Sequence, residues 1–386
     1  AHIMAGPVAG LMLADMGADV IKVEKPGGDE SRKMVPPTVN GESAAYMMMN
    51  RNKRGVCIDL RNPDGRDVLL KLLGEADVVI ENYRRGTMEK LGLGYDELKK
   101  INPGIIYLEI SGFGRTGPYR DRGGFDLVAQ GMSGLMSITG EGEGRPPVKV
   151  GAPVTDITAG ILGAMGVSAA YAHKLKTGEG QRVDTSLFEA GMTHTYWQSA
   201  MAFATGKSPG PLGSAHPLSA PYQAFPTADG WINIGAANQN SWDKLTQIID
   251  RLDLRDDPRF KINSDRMANL ADLVTELERE FPKKRTAQWL DLLEQAGVPA
   301  GPILDITQTH QDPQARAREM VVELDHPVAG PTHALGLPVK FSRTPGGVEH
   351  AAPVLGQHTR EVLDQHGYTS AEVDDLVQSG AVIADS

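Results

Sequence analysis

Cysteine is almost absent, with Cys57 alone among 386 residues. That excludes an internal disulfide and a multi-cysteine metal site, and it leads us to expect a reducing, cytoplasmic setting. The apolar run GVCIDL around Cys57 points to packing rather than reactivity. Basic charge is in deficit: 39 Lys and Arg stand against 49 Asp and Glu, for a formal net charge of -10. A sequence-independent nucleic-acid binder needs a basic surface, so no nucleic-acid partner is expected, although local basic residues can still hold one anionic ligand. No apolar stretch reads as long enough to cross a bilayer, no signal peptide is visible, and no membrane partner is expected. Several catalytic fingerprints are missing too. There is no G-x-x-x-x-G-K-[ST] and no H-E-x-x-H, and GMSGL around Ser133 lacks the G-x-S-x-G elbow. The ten His are scattered, His194 and His310 read as structural or surface residues, and no metal is expected.

What is present has the pattern of an α/β protein. The length fits two domains, and the 44 Gly and 25 Pro are spread as turn residues rather than gathered as in disorder. The chain opens on AHIMAGPVAGLMLADMGADVIKVEKP, in which a helical segment comes almost at once. An α/β domain normally places a strand before such a helix, so a short leading segment is expected ahead of Ala1. DVIKVE, RGVCIDL, DVVIEN and GIIYLEISG read as strands, and PVAGLMLADMGA, NPDGRDVLLKLLGEA and YDELKKIN as helices between them. This alternation predicts parallel strands with right-handed crossovers, a Rossmann-like sheet over about the first 110 residues. FDLVAQGMSGLMSITG is read as helical, with Asp126 at its N-cap. A further helix is predicted from Ile157 to Lys174, along which Gly160, Gly163 and Gly166 form a stripe against a close neighbour, either a helix or a ligand. The domain reading is a large Rossmann-like domain over 1–200 completed by 330–386, a Gly/Pro/Ser-rich linker over 201–221, and a smaller α/β domain over 222–329.

Three features bear on chemistry. GFGRTG, from Gly112 to Gly117, matches the dinucleotide pattern G-x-G-x-x-G, but Pro118 and Tyr119 follow where the pyrophosphate would need a helix N-terminus. A glycine turn is the better reading, and a nicotinamide oxidoreductase is the distant alternative. Basic residues gather in the first region: Lys22, Lys25, Arg51, Lys53, Arg54, Arg61, Arg84, Arg85 and Lys90. Repeated after successive strands, they make a phosphate grip at the ligand edge of a parallel sheet. Finally, GAPVTDITAGILGAMG places Asp156 before an apolar helix. An Asp there is first of all an N-cap. It can equally be a carboxylate kept ionised by amide donors and the helix dipole, and so a covalent nucleophile.

Together, AGPVAGLMLADMGADVIKVEKPGGD, NRNKRGVCIDLRNPDGR, ADVVIENYRRGTMEKLGLGYDELKKINPGIIYLEISGFGRTGPY, GFDLVAQGMSGLMSITG, VGAPVTDITAGILGAMG, KTGEGQRVDTSL and GVPAGPILDI resemble the class III CoA-transferases nearly end to end. These include formyl-CoA:oxalate CoA-transferase and are related to the 2-methylacyl-CoA racemases. The resemblance implies that Asp156 is the nucleophile of a ping-pong exchange through a mixed anhydride and an aspartyl-CoA thioester. No cofactor is then tightly bound, and coenzyme A arrives as part of the substrate. It further implies CoA contacts at Met4, Ala5, Lys25, Arg61, Asn82, Tyr83, Arg84, Lys90, Gly124, Phe125 and Asp126, acyl-CoA and small carboxylic acid substrates, and an interlocked homodimer. Two departures matter. The glycine-rich loop of the oxalate enzyme is missing between PYQAFPTADG and WINIGAAN, which points away from oxalate. Phe125 stands where a racemase carries its His, which weakens the racemase alternative.

Overall fold

In a computed structural model of the chain, which describes residues 1–384, the residues divide into two compact units. Of the described residues, the first comprises 1–134, 150–194 and those from 312 onward, and the second 135–149 with 195–311. The second unit thus ends before 329. The hairpin Val321–His326/Gly330–Leu335 belongs to the first unit, where the Asn40 side chain donates to Ala329 O at 2.9 Å. The segments 135–149 and 195–221, expected in the large domain and the linker, lie in the second unit.

The first unit opens with α1 (Ala5–Asp15), β1 (Val20–Glu24), α2 (Ala44–Asn50), β2 (Lys53–Ile58) and α3 (Pro63–Glu75). Next come β3 (Val78–Glu81), α4 (Tyr95–Ile101), β4 (Ile106–Ser111) and α5 (Asp126–Met132), then α6 (Val154–Thr177), β5 (Arg182–Ser186) and α7 (Leu187–Thr193). Local signals explain the boundaries. Asn62 caps α3, accepting the Asp64 N–H at 3.0 Å ahead of Pro63, and Gly178 closes α6 at φ 76°. The expected single parallel sheet is instead two. β1 and β2 pair in parallel, with Val382–Ile383 added antiparallel to β2, while β3, β4 and β5 form a separate parallel sheet. At the β3 edge the Ala1 amino group lies 3.5 Å from Ile80 O, and Lys22 Nζ donates to Ala1 O.

Two cores support these sheets. Val56, Ile58, Val68, Leu72 and Tyr107 pack with Val362, Leu363 and Val382 of the C-terminal segment, and Ala5, Ala9, Leu108, Ile110, Ala159 and Val167 form the other. Cys57 is fully buried, and burial pushes its thiol up to about 11. The second unit has its own core of Phe225, Trp242, Phe260, Phe281 and Trp289 beneath the antiparallel sheet Ala300–Pro302, Trp231–Gly235, Tyr222–Pro226.

α6 is the spine of the first unit. It has 24 residues and a mean hydropathy of 1.2 over its most apolar window, which meets the length and composition of a bilayer-crossing helix. This corrects the expectation that no stretch is long enough. The same composition serves packing here, because α6 lies against α1, β4, β5 and α7. The glycine stripe is the reason it can. A Cβ on Gly160 would stand 2.7 Å from Ala5 O, one on Gly163 3.0 Å from Leu108, and one on Gly166 2.8 Å from Val183. The close neighbours are therefore a helix and a sheet.

Candidate active site

α6 begins at Val154 behind Pro153, ahead of the expected Ile157, so Asp156 sits inside the first turn instead of capping it. The Thr155 N–H is capped from another helix. Asp126 Oδ1 accepts it at 3.0 Å and accepts the Thr155 hydroxyl at 2.8 Å. Asp126 is likewise not the N-cap of its own helix; Phe125 holds that position and Asp126 is the first helical residue. Its Oδ2 accepts from the fully buried Gln130 at 2.8 Å, and Gln130 Oε1 accepts the Val150 N–H at 2.9 Å.

The Asp156 carboxylate is half-buried, and among the described residues it has no hydrogen bond or ion pair. Burial, and after it the charge of Asp126, push its pKa up to about 6. The expectation that amide donors hold this group ionised is therefore corrected: nothing donates to it. About one pH unit above that value it is still mostly anionic, and so able to attack an electrophilic carbon at neutral pH.

Several expected contact residues converge near this turn. Gly160 lies one turn beyond Asp156 on the same helix face and abuts the Ala5 carbonyl, so the start of α1, with Met4 in its N-cap position, meets the start of α6. A Cβ on Gly6 would come within 3.2 Å of the Asn82 side chain. Asn82 in turn exchanges hydrogen bonds of 2.8 Å with both His2 N and His2 O, and the Tyr83 ring lies 4.8 Å from the His2 ring. Gly124 is pressed against Gly112, its would-be Cβ only 2.5 Å from the Gly112 Cα, and Phe125 is 77% exposed beside it.

The basic cluster divides by strand edge. Lys22 is buried in a 2.6 Å pair with Asp29, and Arg51 in a 2.6 Å pair with Asp15. Lys53 donates to Pro7 O, Met49 O and Asn50 Oδ1 at 2.8–2.9 Å. Arg54 binds Asp19 and Glu361. Lys22, Arg51 and Lys53 are held inside the fold and Arg54 in a partly exposed ion-pair cluster, and all four are corrected out of the phosphate grip. Arg51, Lys53 and Arg54 sit at or before the amino end of β2, the edge opposite to the one where parallel sheets take ligands. Lys25 follows β1, Arg61 follows β2, Arg84 and Arg85 follow β3, and Lys90 ends the short helix Thr87–Lys90; all five are exposed. Arg84 rests against Gly123, Lys25 pairs with Glu30 at 3.0 Å, and Arg61 with Asp59 at 2.8 Å.

GFGRTG opens no helix; the next one starts at Asp126. Gly114 and Gly117 take positive φ, as a tight turn requires. Arg115 from this turn is buried between Glu81 and Glu109, and its backbone N–H donates to Asp184 Oδ2 at 3.0 Å. Burial, against the opposing pull of Arg115, raises Glu81 to about 7. The turn thus ties together β3, β4 and β5 rather than cradling a pyrophosphate. Sequence reasoning missed Arg115, Thr155 and Gln130. Only the spacing of Gln130, four residues after Asp126, could have flagged one of them. No cluster of His, Cys, Asp and Glu suited to a metal occurs among the described residues.

Comparison with known proteins places the chain as a whole. A sequence model described as CoA-transferase family III matches residues 1–359. The succinate–glutarate CoA-transferase of Agrobacterium fabrum is 40% identical over 370 residues, covering 94% of this chain and 92% of that protein. The succinyl-CoA:glutarate CoA-transferase of Homo sapiens is 36% identical over 383 residues, 99% of this chain and 87% of that protein. The crystal structure of a CAIB/BAIF family protein from Brucella suis superposes with a TM-score of 0.85 at 39% identity, over 95% of this chain and 96% of that one. With its half-buried, partnerless aspartate at the start of a glycine-striped helix, the chain belongs to CoA-transferase family III.

Proposed function

We propose that this CoA-transferase moves CoA from succinyl-CoA to a small dicarboxylic acid, with Asp156 as the covalent nucleophile. The observation that carries the reading is the Asp156 carboxylate itself: half-buried, without a hydrogen-bond or ion-pair partner among the described residues, and set where α1, α6 and the loop after β3 meet. An Asp156 oxygen attacks the thioester carbon, the C–S bond breaks, and CoA thiolate leaves. The thiolate then attacks Asp156 Cγ of the mixed anhydride and the donor acid departs with one aspartyl oxygen, leaving an aspartyl-CoA thioester. The acceptor carboxylate reverses the two steps. Each stage starts and ends with one negative charge outside the thioester, so no net proton is taken up or released.

In this reading the exposed Lys25, Arg61, Arg84 and Lys90 meet the phosphates at the carboxyl ends of the strands. Met4, Ala5, Asn82, Tyr83, Gly124, Phe125 and Asp126 line the path of the pantetheine toward Asp156. The names of the relatives, which pair succinate or succinyl-CoA with glutarate, support the choice of substrates. A homodimer accounts for the apolar surface. Met165 and Leu175 on α6 are 63% and 71% exposed, and Phe203 on Tyr196–Thr205, a helix with no buried residue, is 90% exposed.

The test is hydroxylamine trapping during turnover of succinyl-CoA, followed by mass mapping. Modification should fall on Asp156. Asp156→Ala should lose about a thousandfold or more in labelled exchange. Full exchange in that variant overturns the reading. Asp156→Ala should also melt higher at pH 8. A carboxyl whose folded-state pKa is raised above its unfolded value costs stability above that pKa, and the cost fades as pH falls through about 6 toward the unfolded value.

A further inference from the structure

We propose that Asp126 is a positioning residue for Asp156: it pins the first turn of α6 through Thr155 and sets a second negative charge beside the nucleophile, so that the neutral, esterified state of Asp156 is favoured. The inference rests on Asp156 being the nucleophile.

The geometry assigns Asp126 this work. Both its carboxylate oxygens are engaged, Oδ1 by the Thr155 N–H and hydroxyl at 3.0 and 2.8 Å, Oδ2 by Gln130 Nε2 at 2.8 Å. Thr155 is adjacent to Asp156 in the chain, so the nucleophile's backbone is referenced to α5. Gln130 extends the same hold to the loop before α6, accepting from Val150 N at 2.9 Å. A carboxylate bound on both oxygens by donors of its own fold is poorly free to grip a passing pantetheine.

The charge argument follows. Charged groups on the other elements packed against α6 are already paired. On α1, Asp15 holds Arg51, and on β4 Glu109 faces Arg115 and Arg182. On β5, Asp184 accepts the Arg115 N–H; on α7, Glu189 accepts from Ser186 Oγ at 2.6 Å, and His194 at its end bonds Thr158 at 2.8 Å. After burial, Asp126 is the charge that raises Asp156. Protonation and esterification have the same electrostatic result, because each removes the charge of Asp156. Whatever favours the proton therefore favours the thioester, whose formation exchanges a crowded aspartate for a donor carboxylate free to leave into water.

Two variants separate the charge from the bond. Asp126→Asn keeps an oxygen for Thr155 but removes the charge. Its acid limb of turnover should move to lower pH by about one unit. With succinyl-CoA, the share of Asp156 trapped as the CoA thioester should fall several-fold. Thr155→Val keeps the charge and loses the hydroxyl bond; kcat should fall while the acid limb stays in place. Should Asp126→Asn fold poorly, Asp126→Asn/Gln130→Met removes the facing donor without adding a charge and is read in the same way. A folded charge-removed variant with the limb and the trapped share both unmoved overturns this proposal alone. Absence of any Asp156 adduct in the unaltered enzyme overturns the nucleophile reading, and this proposal with it.

Discussion

The two edges of the parallel strands use the same residue types for opposite ends. Toward the amino ends, Arg51 and Lys53 are 2% and 4% exposed and are bound by groups of the fold itself. Past the carboxyl ends, Arg61 and Arg84 are exposed and carry only surface partners or glycine backbone. For these four the end of the strand each flanks separates the roles, while Arg115, past the carboxyl end of β4 yet buried between Glu81 and Glu109, shows that the partners in space decide.

The contrast can be broken by substitution. Arg51→Met leaves Asp15 charged and buried without its partner, which should cost about 3–5 kcal/mol in urea unfolding while the folded fraction keeps its KM for succinyl-CoA. Lys53→Met leaves two carbonyls and Asn50 Oδ1 unsatisfied but also removes a desolvated amine, so the loss should be smaller, about 1–3 kcal/mol. It should also flatten the pH dependence. Burial holds the Lys53 pKa well below its ordinary value. The unfolded chain therefore binds the extra proton, and wild-type stability should rise with pH toward the ordinary lysine value, a slope that Lys53→Met abolishes. Arg84→Ala should leave stability within about 0.5 kcal/mol yet raise KM for succinyl-CoA about fivefold, with a weaker salt dependence. A large stability loss for Arg84→Ala, or a KM change for Arg51→Met, would erase the distinction between the edges.

Much of this was legible before any coordinates. Alternating apolar strands and helix signals placed α1, β1, β2, α3, β3, α4 and β4, because hydrophobic period and Asn, Pro and Gly signals act locally, while α2 over Ala44–Asn50 went unread. Asp156 was legible by its place before an apolar helix and by family resemblance. Three things were not. The cap of α6 comes from Asp126, 29 residues away in sequence, so local chemistry nominated Asp156 for a role that a distant side chain fills. The division of one expected sheet into two depends on which strands pair in space, which strand patterns do not encode. The division of the basic residues depends on which carboxylates and carbonyls surround them in space.

The contact of Gly160 with the Ala5 carbonyl leaves no room for even a methyl group between the openings of α1 and α6. An engineer wishing to admit a bulkier acyl chain cannot gain that space by reshaping this seam, since any larger side chain at 160 would push the first turn of α6, and Asp156 with it, away from α1. Redesign of substrate range therefore belongs to exposed side chains outside the seam, such as Phe125, whose ring can be trimmed or enlarged while the two helices stay where they are.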